Sequence, residues 1–101
     1  MPSKRKVDTG FWERADAHIH LANQQCNDIG AGKVSASLLY AASRFNAFVV
    51  ASQAADASGL RATKQEALEY FTEEFRKMLD ENLDDYIKHH KKYVGGRQGD
   101  A

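Results

Sequence analysis

The residues best suited to a chemical role are a tyrosine, an arginine and an asparagine in a segment that otherwise carries almost no charge. Tyr40 and Arg44 are four residues apart and share one face of a helix, and Asn46 follows two residues later. A guanidinium in such surroundings needs an acidic partner or an anionic ligand. Two readings stand: an ion pair with a carboxylate of another helix or subunit, such as Asp16 or Asp84, or a binding site for a small anionic ligand.

Carboxylate and histidine pairs form the second group that suggests a chemical role, in this case metal binding. Asp16 and His20 are four residues apart and could share an ion on one helical face. Asp85 and His89 have the same spacing. A carboxylate-bridged two-metal bundle needs Glu-x-x-His on two helices, and that motif does not occur in the sequence. We expect no metal and no other cofactor, while a metal-binding bundle around Asp16 and His20 stays open as an alternative.

Signatures of catalysis are missing from the sequence. Asp84 and Asp85 are adjacent and point about 100° apart on a helix, which is poor geometry for an acid and base pair. The stretch from Gly30 to Lys33 is too short for a phosphate-binding Walker motif and follows a helical pattern instead of a strand. Cys26 lies in an apolar stripe, where burial makes a thiol inert. We expect a protein that is not an enzyme.

Composition indicates one small domain without an electrostatic preference for anionic partners. The chain has 101 residues, 14 of them basic and 14 acidic, and its formal net charge is zero. This balance argues against nucleic acid or an acidic membrane surface as the principal partner. Weak nucleic-acid binding through the basic tail formed by Lys4, Arg5 and Lys6 is a third alternative. A single cysteine and the lack of a signal-like apolar segment near the N-terminus predict a cytoplasmic protein.

Apolar residues recur at steps of three and four in three long segments, and no segment shows the alternation of a β-strand. The three stripes are Phe11, Ala15, Ile19, Ala22, Cys26 and Ile29; then Val34, Leu38, Ala42, Phe45, Val49 and Ser52; then Leu68, Phe71, Phe75, Leu79, Leu83, Tyr86 and His90. We predict an all-α domain over residues 9–94, with three long helices in an up-down-up bundle. Disordered tails are expected at residues 1–8 and 95–101.

Capping residues give predicted boundaries for these helices. The predicted N-caps are Asp8 or Thr9 for the first helix, Ser35 for the second, and Thr63 in a capping box with Glu66 for the third. The predicted helix ends are Gly30 with Gly32, then Gly59, then Gly95 with Gly96.

The central segment from Val34 to Ala55 organises the predicted fold, because Arg44 is its one charged residue. A helix so poor in charge has to be covered on more than one side. Arg44 and several polar residues argue against a membrane span. The second side of this segment is mostly Ala and Ser, which lets another helix approach closely. We therefore predict a homodimer that shares this small-residue side.

Three segments of the chain are also familiar as a set: FWERADAHIHLANQQ, KVSASLLYAASRFNAFVVA and NLDDYI. Together they resemble a family of short bacterial proteins catalogued as a domain of unknown function, over roughly Phe11 to Ile87. The resemblance implies a bacterial, cytoplasmic origin and a helical fold, and it brings no activity or functional residue with it. The expected role is a non-enzymatic protein-interaction or structural module whose helix faces form the binding surface.

Overall fold

The protein is mostly helical in the part of the chain that the structure describes, residues 6–94 of a computed structural model. Three long helices, α1 (Phe11–Ile29), α2 (Ala31–Ser52) and α3 (Ala57–Lys88), precede one short helical turn, α4 (His90–Tyr93). No described residue is in a β-strand. The predicted all-α fold with three long helices is therefore confirmed. The tails predicted at residues 1–8 and 95–101 fall outside the described residues except for 6–8, which have no regular secondary structure.

The backbone divides into two compact units, which are described separately below. The first unit contains α1 and the part of α2 up to Phe45. The second contains the end of α2 from Asn46 onward, together with α3 and α4. The boundary therefore falls inside α2, within the charge-poor segment that the sequence marks as central.

A glycine, not a polar side chain, starts α1. Gly10 is the N-cap residue and has φ +88°, and the Arg14 backbone N–H donates to its carbonyl oxygen at 2.9 Å. The predicted cap by Asp8 or Thr9 is therefore wrong. The Asp8 carboxylate instead accepts hydrogen bonds from Nη2 of Arg14, at 2.8 Å to Oδ1 and 3.1 Å to Oδ2. This pairing with a guanidinium competes for the carboxylate that would otherwise cap the helix.

A single residue, Gly30, joins α1 to α2. Its backbone has φ +88° and ψ 153°, and its N–H donates to the Cys26 carbonyl at 3.1 Å. The Gly30 carbonyl then accepts the Val34 N–H at 3.3 Å, which begins α2 at Ala31. Gly30 ends α1 as predicted, whereas the predicted cap at Ser35 is wrong, because the Gly30 carbonyl, five residues earlier, already accepts the first hydrogen bond of α2. Gly32, predicted to belong to the turn, lies inside α2.

In the second unit, α3 begins at an aspartate cap. Asp56 has extended backbone (φ −158°, ψ −180°), and its Oδ1 accepts the Gly59 N–H at 2.9 Å. The predicted capping box at Thr63 is wrong, since Thr63 lies inside α3 and its hydroxyl donates to the Leu60 carbonyl at 3.2 Å. Gly59 does not end α2, which stops at Ser52. Extended backbone at Asp56 points its carboxylate at the free N–H groups of the first turn, so the helix starts there.

The third helix breaks before the end that the sequence predicts. His89 leaves helical geometry with φ −119° and ψ 34°, although its N–H still donates to the Asp85 carbonyl at 3.0 Å. The chain then makes the short turn of α4, in which the Tyr93 N–H donates to the His89 carbonyl at 3.1 Å. Within this unit α4 lies against α3. The predicted continuous third helix is therefore a long helix followed by a separate turn.

Few side chains are buried in either unit. Val34 is 2% exposed and is the one buried hydrophobic residue in the part of the chain that is described. The exposed large hydrophobic residues are Ile19, Leu21, Ile29, Leu38, Leu39, Tyr40, Phe45, Phe48, Val49, Leu68, Tyr70, Phe75, Leu79, Leu83, Tyr86 and Ile87. The predicted apolar stripes are thus present as helix faces, and a single chain leaves them largely uncovered.

Candidate interaction surface

The surface of α2 is unusually apolar for a helix in contact with water. Its exposed large hydrophobic residues are Leu38 (39%), Leu39 (55%), Tyr40 (66%), Phe45 (66%), Phe48 (65%) and Val49 (36%). Lys33 and Arg44 are the only charged residues of the helix. Contiguous exposed apolar surface of this kind marks a site of interaction with another macromolecule or with a membrane. This surface is the candidate functional site.

Two serines of α2 use their hydroxyl groups for hydrogen bonds within the helix. Ser43 Oγ donates to the Tyr40 carbonyl at 2.8 Å, and Ser52 Oγ donates to the Val49 carbonyl at 2.8 Å. A hydroxyl that is already bonded to its own helix can be covered by a partner without losing a hydrogen bond. A partner can therefore cover Ser43 and Ser52 at little cost.

The three residues singled out from the sequence occupy different environments on α2. Tyr40 and Arg44 lie one turn apart and are both exposed, while Asn46 is half-buried in the other unit. Within its own unit Arg44 forms no ion pair with a described carboxylate, so Asp16 does not pair with it, while Asp84 belongs to the other unit. Arg44 lies one helical turn after Tyr40 and directly before Phe45, and its interpretation as an interface or ligand contact stays a prediction.

A second apolar face runs along α3. Its exposed residues are Leu68 (51%), Phe75 (46%), Leu79 (45%), Leu83 (53%) and Tyr86 (47%), and Phe71 is half-buried. The steps along this set of six residues, which we call the α3 stripe, are three, four, four, four and three. Such steps place all six on one side of the helix. Asn82 adjoins the stripe and donates its Nδ2 to the Met78 carbonyl at 2.9 Å, so its amide group is satisfied locally.

The opposite face of α3 is charged and paired along its own length. Arg76 binds Glu73 with two hydrogen bonds, Nη2 to Oε2 at 2.9 Å and Nε to Oε1 at 3.2 Å. The hydrogen bond from Arg76 lowers the pKa of the Glu73 carboxyl, and the same contact raises the pKa of Arg76. Lys77 pairs with Glu74 at 3.2 Å. Exposed pairs of this kind contribute little to stability and mark a solvated surface.

The end of α3 brings three polar side chains together. His89 Nδ1 and Asp85 Oδ1 are 3.1 Å apart, and Tyr93 also hydrogen-bonds Asp85. Although partial burial acts to raise it, the pKa of the Asp85 carboxyl lies below its ordinary value because of the hydrogen bonds from Tyr93 and His89. The hydrogen bond to Asp85 is also the main cause that raises the pKa of Tyr93. The Tyr86 and Tyr93 rings pack with centroids 4.7 Å apart.

This polar cluster fastens α4 to the end of α3. Its members, Asp85, His89 and Tyr93, recur at intervals of four and lie on the same face. Asp85 belongs to α3, His89 is at the break, and Tyr93 belongs to α4. The four-residue spacing in the sequence predicts the Asp85 and His89 pair, and Tyr93 was missed. The signal that could have found it is the same spacing, which continues to Tyr93, past the observed end of α3 at Lys88.

Metal binding would need several ligand side chains close together, and the described residues offer only pairs. No group of three or more His, Cys, Asp or Glu side chains that could hold an ion exists among residues 6–94. Asp16 and His20 are exposed on α1, and the Asp85 carboxylate is already bonded to His89 and Tyr93. The pairs identified from the sequence therefore remain pairs within one chain.

One helix, α2, is long and apolar enough to cross a membrane by length and composition, with a mean hydropathy of 1.3 in its most apolar window. Core helices of soluble proteins can be as long and as apolar, but they are mostly buried, whereas 6% of this window is buried. A bilayer is thus one of the environments in which α2 could be covered.

Comparison with known proteins identifies the family of the chain. Residues 11–87 match the family DUF3144, described as a protein of unknown function, and the chain belongs to this family. The fold is similar to the NMR structure of the protein NB7890A from Shewanella sp, with 33% sequence identity and a TM-score of 0.72. That match covers 93% of this chain and 100% of the other. No curated protein matches. The expected membership of a family of unknown function is confirmed.

Proposed function

We propose that this protein is a non-enzymatic interaction module that works as a homodimer, with the exposed apolar faces of its helices packed against a second copy. The up-down-up bundle expected from the sequence then becomes a bundle to which two chains contribute helices. The observation that carries the proposal is the exposure of Phe45 and Phe48 on a helix with two charges, at 66% and 65%.

Burial of these faces is a large driving force for association. Fully covering one Phe or Leu side chain contributes about 1.5–3 kcal/mol. Because Phe45 and Phe48 occur in both copies, four rings that are about two-thirds exposed in a single chain would be buried in the dimer. The hydrogen bonds within α2 that satisfy Ser43 and Ser52 remove the polar penalty for covering these two hydroxyls.

A second copy accounts for the surface better than a bilayer does. Arg44 lies near the middle of α2, where a charge costs about 2.5–3.5 kcal/mol on insertion scales. A membrane would also leave the α3 stripe uncovered, since α3 is charged along its opposite face and cannot enter hydrocarbon. A second copy carries both kinds of face and can cover both. A cytoplasmic location in a bacterium is part of this proposal.

The alternative from another class is a small-ligand site at Arg44. Its support is that no described carboxylate pairs with this guanidinium, which stands on an apolar surface beside Tyr40. An anionic ligand would satisfy a charge that no carboxylate among residues 6–94 pairs with. Nucleic-acid binding through Lys4, Arg5 and Lys6 depends on residues outside the described part, apart from Lys6, and the zero net charge of the chain gives it no support.

Light scattering after size exclusion tests the homodimer. The chain of 11.3 kDa should elute with about twice that mass at micromolar concentration. Phe48→Glu should yield the monomer mass, because it places a charge in the proposed interface. Tyr70→Glu is the matched control, since Tyr70 is 59% exposed outside the α3 stripe, and it should leave the mass unchanged. A monomer mass for the unaltered chain at that concentration would refute the proposal.

Replacement of Arg44 by Met separates the interface from the ligand site. If Arg44 contacts the second copy, the variant should dissociate or unfold more easily, and native mass spectrometry of the unaltered protein should show two chains and no added mass. A bound small molecule that is present in the unaltered protein and lost in a dimeric, equally stable Arg44→Met variant would establish the ligand site instead.

A further inference from the structure

The α3 stripe has a spacing that reads the same in both directions. The steps from Leu68 to Tyr86 are three, four, four, four and three, so the stripe is symmetric about the level of Lys77. Lys77 itself lies on the charged face, paired with Glu74. A symmetric stripe can be superimposed on a reversed copy of itself without any shift in register. This property matters because a two-fold dimer uses the same patch on both subunits.

An antiparallel pair of α3 helices related by a two-fold axis at this level places aromatic residues opposite aliphatic residues. The facing pairs are Leu68 with Tyr86, Phe71 with Leu83, and Phe75 with Leu79, each formed twice by symmetry. Large rings then fit against smaller side chains, as interdigitated packing requires. A parallel pair in register would place each residue against itself, so that Phe75 would meet Phe75 and Leu79 would meet Leu79.

Polar residues around the stripe obey the same symmetry. Thr72 and Asn82, the uncharged polar residues beside the stripe, face the same level in the antiparallel pair, and the Asn82 amide is already satisfied by the Met78 carbonyl. Arg76 and Asp80 lie on one flank of the stripe, at the edge of the charged face, where Arg76 also binds Glu73 of its own helix. Arg76 of one copy would come within two residues, about 3 Å along the axis, of Asp80 of the other. In a parallel pair the two flanks fall on opposite sides of the contact, so this attraction is lost.

The exposed area also matches what a stable dimer needs. An aromatic side chain buries roughly 150–250 Å² when fully covered. The half-exposed residues of the α3 stripe therefore offer on the order of 500 Å² per chain, less than the approximately 800 Å² of a standard interface. The six exposed hydrophobic residues of α2 offer a similar area, so a dimer that buries both surfaces would exceed that value.

We propose that the α3 stripe is a self-recognition surface, which pairs antiparallel with the α3 stripe of a second copy about a two-fold axis at the level of Lys77. This inference rests on the proposed homodimer and specifies its register. The partner is a second copy of this chain because the stripe is complementary to its own reverse in spacing, in side-chain size and in the charges of Arg76 and Asp80.

Disulfide trapping tests the register. In a Cys26→Ala background, chains with Leu68→Cys and chains with Tyr86→Cys are mixed, exchanged and oxidised. The two altered positions are 18 residues apart, about 27 Å along a helix, so neither variant alone should link to itself. The mixture should give about tenfold more linked dimer than either variant alone, because only facing positions meet disulfide geometry. Efficient linkage of Leu68→Cys chains to each other would overturn the antiparallel pairing.

A charge exchange gives a second measurement that does not alter the stripe. Arg76→Asp chains and Asp80→Arg chains should each form weaker homodimers, and their mixture should yield more than the half share of mixed dimers that random exchange produces. Dimers that mix at random, or that give no mixed disulfide, would overturn the register while leaving the homodimer intact. A monomer mass for the Cys26→Ala chain and the unaltered chain would overturn both proposals.

Discussion

α2 and α3 show two different solutions to the same problem, how a long helix in a short chain meets water. α3 keeps a charged face on which Arg76 binds Glu73 and Lys77 binds Glu74, so one side of it is stable in solvent without help. α2 has two charged residues and exposes Phe45 and Phe48 on its surface. α3 therefore has one apolar and one charged side, whereas α2 exposes large hydrophobic residues with only two charges along its length.

The two helices also begin differently. The backbone of Gly30, with φ +88°, starts α2 through a single-residue connection, and the side chain of Asp56 starts α3 by accepting the Gly59 N–H. One start depends on a conformation that other residues rarely adopt, and the other depends on a side-chain hydrogen bond. The first should therefore be less tolerant of substitution than the second.

Removal of the aromatic surface of α2 should have the largest effect. Combined Phe45→Ala and Phe48→Ala should lower the free energy of unfolding by about 3–6 kcal/mol per chain, because two rings would be lost from the surface that the proposed homodimer buries. Urea denaturation monitored by circular dichroism measures the change. Tyr70→Ala on α3 is the control and should change it by less than about 1 kcal/mol. Equal losses in the two proteins would remove the distinction between the helices.

Gly30→Ala should produce the next largest effect. Nothing lies within 4 Å of an added Cβ, so the cost comes from the backbone, whose φ and ψ of +88° and 153° are almost exclusive to glycine. Strain of this kind costs about 1–3 kcal/mol. Gly32→Ala, inside α2 and also without neighbours within 4 Å, should instead stabilise the protein by about 0.5–1 kcal/mol. The midpoint temperature of thermal unfolding should therefore fall for Gly30→Ala and rise for Gly32→Ala. Shifts of the same sign in the two variants would contradict the turn assigned to Gly30.

Asp56→Ala should cost about 0.5–2 kcal/mol, the usual effect of losing an N-cap. Thr63→Ala is the matched control, because Thr63 lies inside α3 and its hydroxyl bonds only the Leu60 carbonyl within the helix. This control should be neutral or slightly stabilising, since Ala is the better helix former. Denaturation midpoints of both variants measure the difference. A larger loss for Thr63→Ala would mean that α3 begins at the capping box predicted from the sequence.

The cluster at the end of α3 should give the smallest effect, a change in pH dependence. The pKa of Asp85 is lowered in the folded chain, so its contribution is present above the ordinary pKa of about 3.9 and is lost as pH falls through the lowered value. The pKa of Tyr93 is raised, so its contribution is present below about 10 and is lost as pH rises through the raised value.

Tyr93→Phe removes the hydroxyl that couples these two groups. The dependence of unfolding free energy on pH should become flatter at both the acidic and the alkaline end, while Tyr70→Phe on the charged face of α3 should reproduce the curve of the unaltered protein. Chemical shifts of residues 90–93 should move toward unstructured values in the first variant. An unchanged pH profile for Tyr93→Phe would show that the cluster does not hold α4.

Sequence periodicity predicts much of the fold because a helix is a local structure. The steps of three and four from Phe11 to Ile29 and from Leu68 to Tyr86 correspond to real faces of α1 and α3, and Gly30 ends α1 as predicted. Family membership was also identifiable from the sequence segments. Capping positions were less predictable, because several polar residues near each boundary compete and the backbone conformation selects one of them.

The candidate site was only partly predictable. The charge-poor character of α2 identified the surface that needs covering, but Tyr40, Arg44 and Asn46 were chosen for their polar groups, whereas the exposed rings of Phe45 and Phe48 dominate the surface. The cluster of Asp85, His89 and Tyr93 crosses a helix break that no local pattern indicates. Polar groups can be recognised in a sequence, whereas the exposure of an aromatic side chain depends on what packs around its helix.

The amino-acid sequence alone determined that this chain is helical, where its apolar faces lie and that its central helix carries almost no charge. These properties follow from spacing and charge, which act within a few residues. The tertiary structure decided that α2 begins at Gly30, that α3 begins at Asp56 and breaks at His89, and that the apolar faces remain exposed in a single chain. Those outcomes depend on backbone conformation and on which groups meet across the chain, and spacing carries no record of either.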